Sequence, residues 1–538
     1  MIKHQYKLIF FLFCLSLVSC GKDFLALEPT SQLTTRNFYS SADNLKAGTA
    51  PLYCTVWFDY NTRPSYVLGD IRAGDLYAPY GNYNYDMFTE SALDAQLSGA
   101  WGAFYKVVSQ STTVMNNINN YATGVTEAEK KAAIAECRFM RATAYFYLVR
   151  AWGNVPIVDD VIDLVKDYKI PTRSIDDVYK YIVRDLSYAS VNLPKVSDKG
   201  RVNKWSAEGM LAKVYLAHSG YGSTNGKRLQ NELDSAKKYA EDVCLNSGLS
   251  LLPNYADLYK YKFNNNVESL FSLQWVPLGE WGTQNATLSD FAYSSDLTGG
   301  VMAWGSTTAS YDMLSSYEPG DTIRRNATFL TAGSKYPEIN IAKGGYTYKG
   351  SFNDQGWCTT AHFKKYVPGG PNDDNDGKVA QMNSPLNTYI LRLSDVYLTL
   401  AEASLGNDAS LSGGNGLSYF NKVRARAQMP FKTSITIDDI IKERRIEFAL
   451  EAQNWYNMVT WSYYMPNKIL DMINNQNREA SYMYQKDKFG NIVSIKTDKI
   501  QDNPVNAKIA NMYFAVPESE AIMNPMLKQT PVPYTFQN

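Results

Sequence analysis

Apolar residues recur along this chain in one dominant rhythm, which breaks down in two places. Between positions 129 and 152, Ala133, Cys137, Met140, Ala144, Leu148 and Trp152 come three or four apart, the stripe of a long amphipathic helix. Residues 175–193, 205–218, 233–245, 390–405 and 440–461 repeat that spacing, several of them across short polar turns. The rhythm dissolves over 279–377, where 14 of the chain's 34 glycines fall, with Trp281, Trp304 and Trp357 among them. It is also lost over 58–88, which holds Tyr60, Tyr66, Tyr77, Tyr80, Tyr83 and Tyr85, with Pro64 and Pro79 set to break a helix.

The pattern predicts a mostly α protein. Paired helices of this size, repeated with loops between them, suggest a scaffold of tetratricopeptide type, although no clean 34-residue self-similarity is present. The predicted organisation is one domain over 41–538, with helical scaffold near 41–250 and 386–475. Loop-rich insertions near 58–90 and 251–385 are where ligand contacts are expected.

The amino terminus changes the picture. Lys3 and Lys7 precede an uncharged apolar run from Leu8 to Leu17, too short to stay as a membrane span and suited to a signal peptide over 1–19. The run closes on Leu17-Val18-Ser19-Cys20, which resembles a bacterial lipobox. Cys20 is then the acylated first residue of the mature chain, and 20–40 is a lipidated tether and arm. The plainer alternative is a secretory signal with a chance cysteine at its end.

Lys+Arg 53 against Asp+Glu 53 leaves no net field to attract nucleic acid, and no basic run is interleaved with aromatics. Cys54, Cys137, Cys244 and Cys358 are too scattered for a CxxC metal pair or a dense disulfide framework. Past the signal, His218 and His362 are the only histidines, so histidine catalysis has almost no raw material. The 40 tyrosines and 10 tryptophans could be core, or could offer flat faces that stack on sugar C–H groups.

Motif tests are mostly negative. Asn372, Asp374 and Asp376, followed by Gly377, begin like a calcium loop, but position twelve is Asn383 where a bidentate glutamate is needed; they are a calcium candidate against the reading of a plain acidic turn. Gly226-Lys227 fails as a phosphate loop because Tyr221 and Arg228 occupy the flanking positions. With neither a Gly-x-Ser-x-Gly elbow nor a His-Glu-x-x-His helix, only carboxylate chemistry is open to an enzyme.

Several segments in order resemble one family. Lys22-Asp23-Phe24-Leu25 with Pro29 follows the cysteine, and Trp101 to Tyr105 leads to Asn116 and Asn117. The run from Glu136 to Arg150 passes into Trp152-Gly153-Asn154-Val155-Pro156. Then come Ala207 to Leu216, Tyr389 to Leu398 with Ala401-Glu402-Ala403, and Asn421 to Arg424 with Arg426. Glu443 to Phe448 with Glu451 and Trp455, and Asn524-Pro525 with Gln529, close the series. Together they resemble the SusD/RagB family of outer-membrane nutrient-binding lipoproteins, across nearly the whole chain. One departure is clear: after Glu451 the family usually has Gly-x-Arg-Trp-x-Asp, and this chain has Ala452, Asn454 and Asn457. Glu443, Arg444, Glu447 and Glu451, three or four apart, read as ion-pairing scaffold residues rather than catalytic ones.

The resemblance implies a SusD-like, mostly helical fold lying as a lid on a SusC-like TonB-dependent transporter. It implies a lipid-anchored protein facing outward from the outer membrane, which binds a glycan and is not an enzyme. It fixes no ligand residue, because family ligand contacts lie on variable loops. The residues expected to bind are therefore read from ring chemistry in the irregular segments: Tyr80, Asn82 and Tyr83, then Trp281 and Trp304, with Arg72 as polar partner. The competing classes are a surface glycoside hydrolase using two carboxylates and a helical scaffold that binds only protein.

Overall fold

The computed structural model describes residues 34–501 and 504–536. Its longer helices, in chain order, are α1 Ala42–Thr49, α2 Ala95–Tyr121, α3 Glu127–Trp152, α4 Ile175–Asn192, α5 Lys204–His218 and α6 Gln230–Asn246. There follow α7 Leu393–Leu405, α8 Gly414–Arg426, α9 Ile437–Glu447, α10 Asn454–Ser462 and α11 Pro466–Asn474. Local chemistry sets the helix starts. The Asp94 side chain accepts from Gln96 N–H ahead of α2, Thr126 and Glu129 form a capping box on α3, and Ser174 caps α4. Helix α3 stops where Gly153 turns to φ +72.

From α2 to α8 each helix packs on the next, so the scaffold is an array of helix neighbours of tetratricopeptide kind. The array runs straight from α6 to α7 although the chain between them makes the whole loop-rich excursion. Three expectations are corrected. Helix α3 is not amphipathic in its second half, where Phe139 to Trp152 are all buried because neighbours cover it on every side. Residues 390–392 belong to a strand rather than to the helix that follows. The 440–461 stretch is two helices, broken at Leu450 (φ +62) and Ala452 (φ +54).

The strands are β1 Leu76–Tyr77, β2 Ser269–Leu273, β3 Thr308–Ala309, β4 Lys335–Tyr336, β5 Tyr346–Thr347, β6 Thr388–Arg392, β7 Met483–Lys486 and β8 Ile492–Lys496. They form two-stranded antiparallel pairs, β1 with β3, β2 with β6, β4 with β5 and β7 with β8. One apolar cluster from Tyr39 to Leu527 unites scaffold and loops. No helix among the described residues is long and apolar enough to cross a membrane. The signal, Cys20 and the segment up to Leu33 lie outside the described residues.

Buried charges lock the excursion to the scaffold. Arg392 pairs with Glu268 (2.8 Å), Glu447 (2.9 Å) and Glu451 (2.7 Å), and Arg426 joins Glu268 to Glu447. Arg324 reaches Glu443 at 2.6 Å, and Lys365 reaches Glu451 at 3.0 Å. Glu443, Glu447 and Glu451 therefore pair with distant cations rather than along their own helix, and Arg444 pairs with Asp395. Burial pushes the Glu447 carboxyl up, but Arg426, Arg392 and Arg324 more than reverse it and hold it at about 2.

Candidate functional site

The 58–88 stretch is less irregular than its prolines suggest. Phe58–Thr62 and Pro64–Tyr66 are helical turns, with Pro64 in the first position of the second, where the missing N–H costs nothing. Their inner side buries Tyr60, Asn61 and Tyr66. The Phe58 ring, buried as well, meets Trp281 edge to face at 5.0 Å, and the exposed Arg63 pairs through Nη2 with Asp290 Oδ1 at 2.7 Å. Between these contacts Asn61 Nδ2 donates to Asn285 Oδ1 at 3.2 Å, so 58–66 runs in step with 281–291.

Trp304 closes on the same surface. Its backbone N–H donates to Ser289 O (2.9 Å) and its indole Nε1–H to Asp290 Oδ1 (2.9 Å). The next N–H, from Gly305, donates to Ala292 O at 3.0 Å. A Cβ at Gly305 would lie 2.2 Å from the Asp290 carbonyl oxygen, so only glycine permits this approach. Because Phe58 and Arg63 are five residues apart, Trp281 and Asp290 are gripped at points roughly 8 Å apart along the helical turns.

Tyr80 lies in the bend that follows β1. Tyr77 lies opposite Thr308 at one end of the antiparallel β1–β3 pair, so Tyr80 and Trp304 lie on the two segments that leave the pair at that same end. Trp281, Trp304 and Tyr80 remain 64 %, 41 % and 76 % exposed. Tyr83 is also exposed, at the start of the short helix Tyr83–Asp86, and Asn82 before it is half-buried. The sequence reasoning missed Arg63 and Asp290, whose pairing spans 227 positions and has no local signal.

Arg72 does not join them. It is wholly buried, paired with Glu90, donating to Asn511 O at 3.0 Å, and 3.8 Å from the Phe88 ring centre. Burial pulls its guanidinium down to about 10 despite Glu90, so it is a core cation rather than a surface partner. Tyr60, Tyr66 and Tyr85 are likewise core.

The calcium candidate lies on an exposed turn. Asp374 is paired with Lys262 at 2.6 Å, and Asn372 and Asp376 point outward with it. The inward residues of that turn serve the backbone: Asp373 accepts from Gly370, Asn340 and Ile341 N–H, and Asn375 donates to Pro368 and Gly370 O. No group of three or more His, Cys, Asp or Glu side chains among the described residues converges as a metal site. His362 stacks on Tyr293 at 4.2 Å, and burial pulls it down to about 4.

A cavity of about 30 Å³ is lined by Asn61, Tyr66, Asp70, Phe291, Tyr366 and Ala452, among others, and by none of the exposed rings. It has room for about one or two waters, not a sugar. Larger depressions, about 370 and 550 Å³, lie on the helical scaffold around Glu136 and Arg201 and around Lys204 and Asp242. The exposed rings thus form an open face rather than a pocket.

Comparison with known proteins fits this arrangement to a family. The profile described as SusD family matches residues 208–533, and one described as starch-binding associating with outer membrane matches 23–216. The chain belongs to the SusD family. A SusD-like protein of Bacteroides ovatus is 50 % identical over 533 residues, covering 96 % of each chain. A crystal structure with xylogluco-oligosaccharide is 49 % identical, with a TM-score of 0.85 over 92 % of this chain and 100 % of that one. A SusD-like protein from Bacteroides fragilis, 20 % identical, shares the fold with a TM-score of 0.69 over 91 % of this chain and 97 % of its own. The SusD family resemblance read from the motifs, and the mostly α SusD-like fold it implied, are both confirmed.

Within that family, the departure after Glu451 has a structural answer. Ala452 takes up the left-handed conformation that glycine adopts freely, against Gly69, where a Cβ would meet the Ala452 Cα at 2.4 Å. Asn454 donates to both oxygens of Asp75, at 3.1 and 3.0 Å, while Arg445 supplies the ion pair to Asp75 at 2.7 Å.

Proposed function

We propose that this SusD-family chain is an outer-membrane lipoprotein that holds a neutral oligosaccharide, of xyloglucan type, across Trp281, Trp304 and Tyr80 without cleaving it. The observation that carries the reading is that Trp281 and Trp304 are braced from one side and open on the other, while Tyr80 is exposed. An open aromatic face can cover the C–H face of a pyranose, while the half-exposed Arg63 offers donors to hydroxyls at its edge. The xylogluco-oligosaccharide in the 49 % identical structure supports the ligand class. Asn82 and Tyr83 extend the face as peripheral contacts.

Binding is favoured over hydrolysis because the carboxylate bonded into this face, Asp290, is committed to Arg63 and Trp304, whereas glycoside cleavage needs two carboxyl groups flanking one bond. Delivery to a SusC-like TonB-dependent transporter, anchoring through Cys20 and an outward orientation complete the proposal. They rest on the family and on the lipobox sequence.

Affinity electrophoresis against a polysaccharide panel tests the central claim. Retardation in xyloglucan with no release of reducing ends is expected, and free migration through every neutral glycan would overturn it. Cys20→Ala is expected to leave the membrane fraction, and the wild-type protein to co-purify with a large barrel. An unlabelled wild type after feeding a traceable fatty acid would remove the anchor from the proposal.

A further inference from the structure

We infer that Asp290 is a positioning residue that fixes the plane of the Trp304 ring and ties it to the element supporting Trp281. The inference rests on the glycan-binding reading of this face and adds a dependence that reading does not contain.

The backbone at Trp304 is already pinned by its hydrogen bond to Ser289 O and by the close approach of Gly305 to Asp290. What freedom remains is rotation of the side chain, and an exposed indole rotates unless something holds its edge. The hydrogen bond from Nε1–H to Asp290 Oδ1, at 2.9 Å, supplies that hold. The same oxygen accepts from Arg63 at 2.7 Å. The Asp290 side chain is nearly buried, whereas that of Arg63 is half exposed, so the carboxylate is the fixed centre of the group. Arg63 closes the turn that begins at Phe58, and Phe58 packs against Trp281. One carboxylate therefore sets the ring of Trp304 relative to the support of Trp281.

A glycan spanning both rings binds best when they are already placed, because side-chain ordering otherwise counts against binding. Asp290 acts through Trp304 rather than on the sugar. Its loss should weaken binding without removing any stacking surface.

The test is a double-mutant cycle read by calorimetric titration of a xyloglucan oligosaccharide into wild type, D290A, D290N, W304F and D290A/W304F. D290A is expected to weaken binding roughly three- to tenfold. D290N should recover most of that loss, because the amide oxygen still accepts from the indole. In W304F, which keeps a ring but has no N–H, adding D290A should cost little more. Indole N–H exchange followed by NMR should accelerate for Trp304 in D290A and not in D290N, which a general loss of stability would not produce. Equal losses from D290A in both backgrounds, or unchanged affinity and exchange in D290A, would overturn the positioning role while leaving glycan binding intact. If wild type binds no glycan at all, the functional reading falls, and this inference falls with it.

Discussion

Two sets of aromatic rings in this protein are built from the same residues and differ in what covers their faces. In the scaffold, Trp152 meets Trp101 edge to face at 5.1 Å and donates its Nε1–H to Ala515 O, while Phe104 stacks on Tyr147 at 5.1 Å. These rings are enclosed by partners brought from distant helices. In the loops, Trp281 has Phe58 behind it and Trp304 has Asp290 at its edge, and both remain open to solvent. A ring covered on all sides contributes to stability, and a ring braced on one side is kept ready for something else. Ring content alone does not separate the two. The second layer of support does.

The contrast would be broken most visibly at Trp152. Trp152→Ala should cost the fold about 3–5 kcal/mol in a denaturant titration. A variant that lost affinity but no stability would place this ring with the other set.

The charged core that joins the two regions gives the next effect. Glu447 has its carboxyl depressed in the folded chain, so its contribution is present above about pH 4.5 and is lost as pH falls toward about 2. Acid should therefore remove about 3 kcal/mol of stability over that window. Glu447→Gln should flatten that slope while leaving the protein less stable at neutral pH. An acid limb of denaturation identical in the two proteins would show that the network does not carry the coupling.

The loop rings sharpen the comparison from the other side. Trp281→Ala and Trp304→Ala should each weaken glycan binding by about 1 kcal/mol, a several-fold change in Kd, with the double variant close to inactive. Their melting temperatures should stay near wild type, because surface truncations usually change stability by about half a kcal/mol or less. Large drops in Tm for both would make them core after all. The smallest effect is expected at Ala452→Gly. Relieving a left-handed alanine should stabilise the fold by up to about 1 kcal/mol, partly offset by the greater freedom of glycine in the unfolded chain. Thermal denaturation reads it directly, and a destabilised variant would mean that the Ala452 methyl packs more tightly than the strain costs.

The helices were legible because burial imposes a period on the sequence, and most of the predicted stretches are helices within a few residues. The misreadings have physical causes. Residues 390–392 have the apolar look of a helix start, yet their backbone pairs with a strand more than a hundred positions earlier. The break at 450–452 needs positive φ without glycine, which no propensity announces. At the candidate site, flexible-looking composition pointed to Trp281, Trp304 and Tyr80, whereas Arg72 lay in an equally suggestive stretch and is buried. Arg63 and Asp290 could not be found, since each is an ordinary charged residue until the other is placed beside it.

The β2–β6 pair carries a consequence for how such proteins diversify. It brings residue 273 next to residue 388, so the whole excursion of 274–387 leaves and re-enters the scaffold at one doorway. Closing even a long loop at a fixed doorway adds little entropy cost as the loop grows. The excursion can thus be lengthened, trimmed or exchanged between relatives like a cassette, while the helix array continues undisturbed from α6 to α7. The cassette is not wholly free, because Phe58, Asn61 and Arg63 form its matching socket. A graft that moved 274–387 alone would carry its rings into a frame that no longer braces them, whereas one that moved 58–83 with it would keep Trp281, Trp304 and Tyr80 together in any host that retained carboxylates for Arg324 and Lys365.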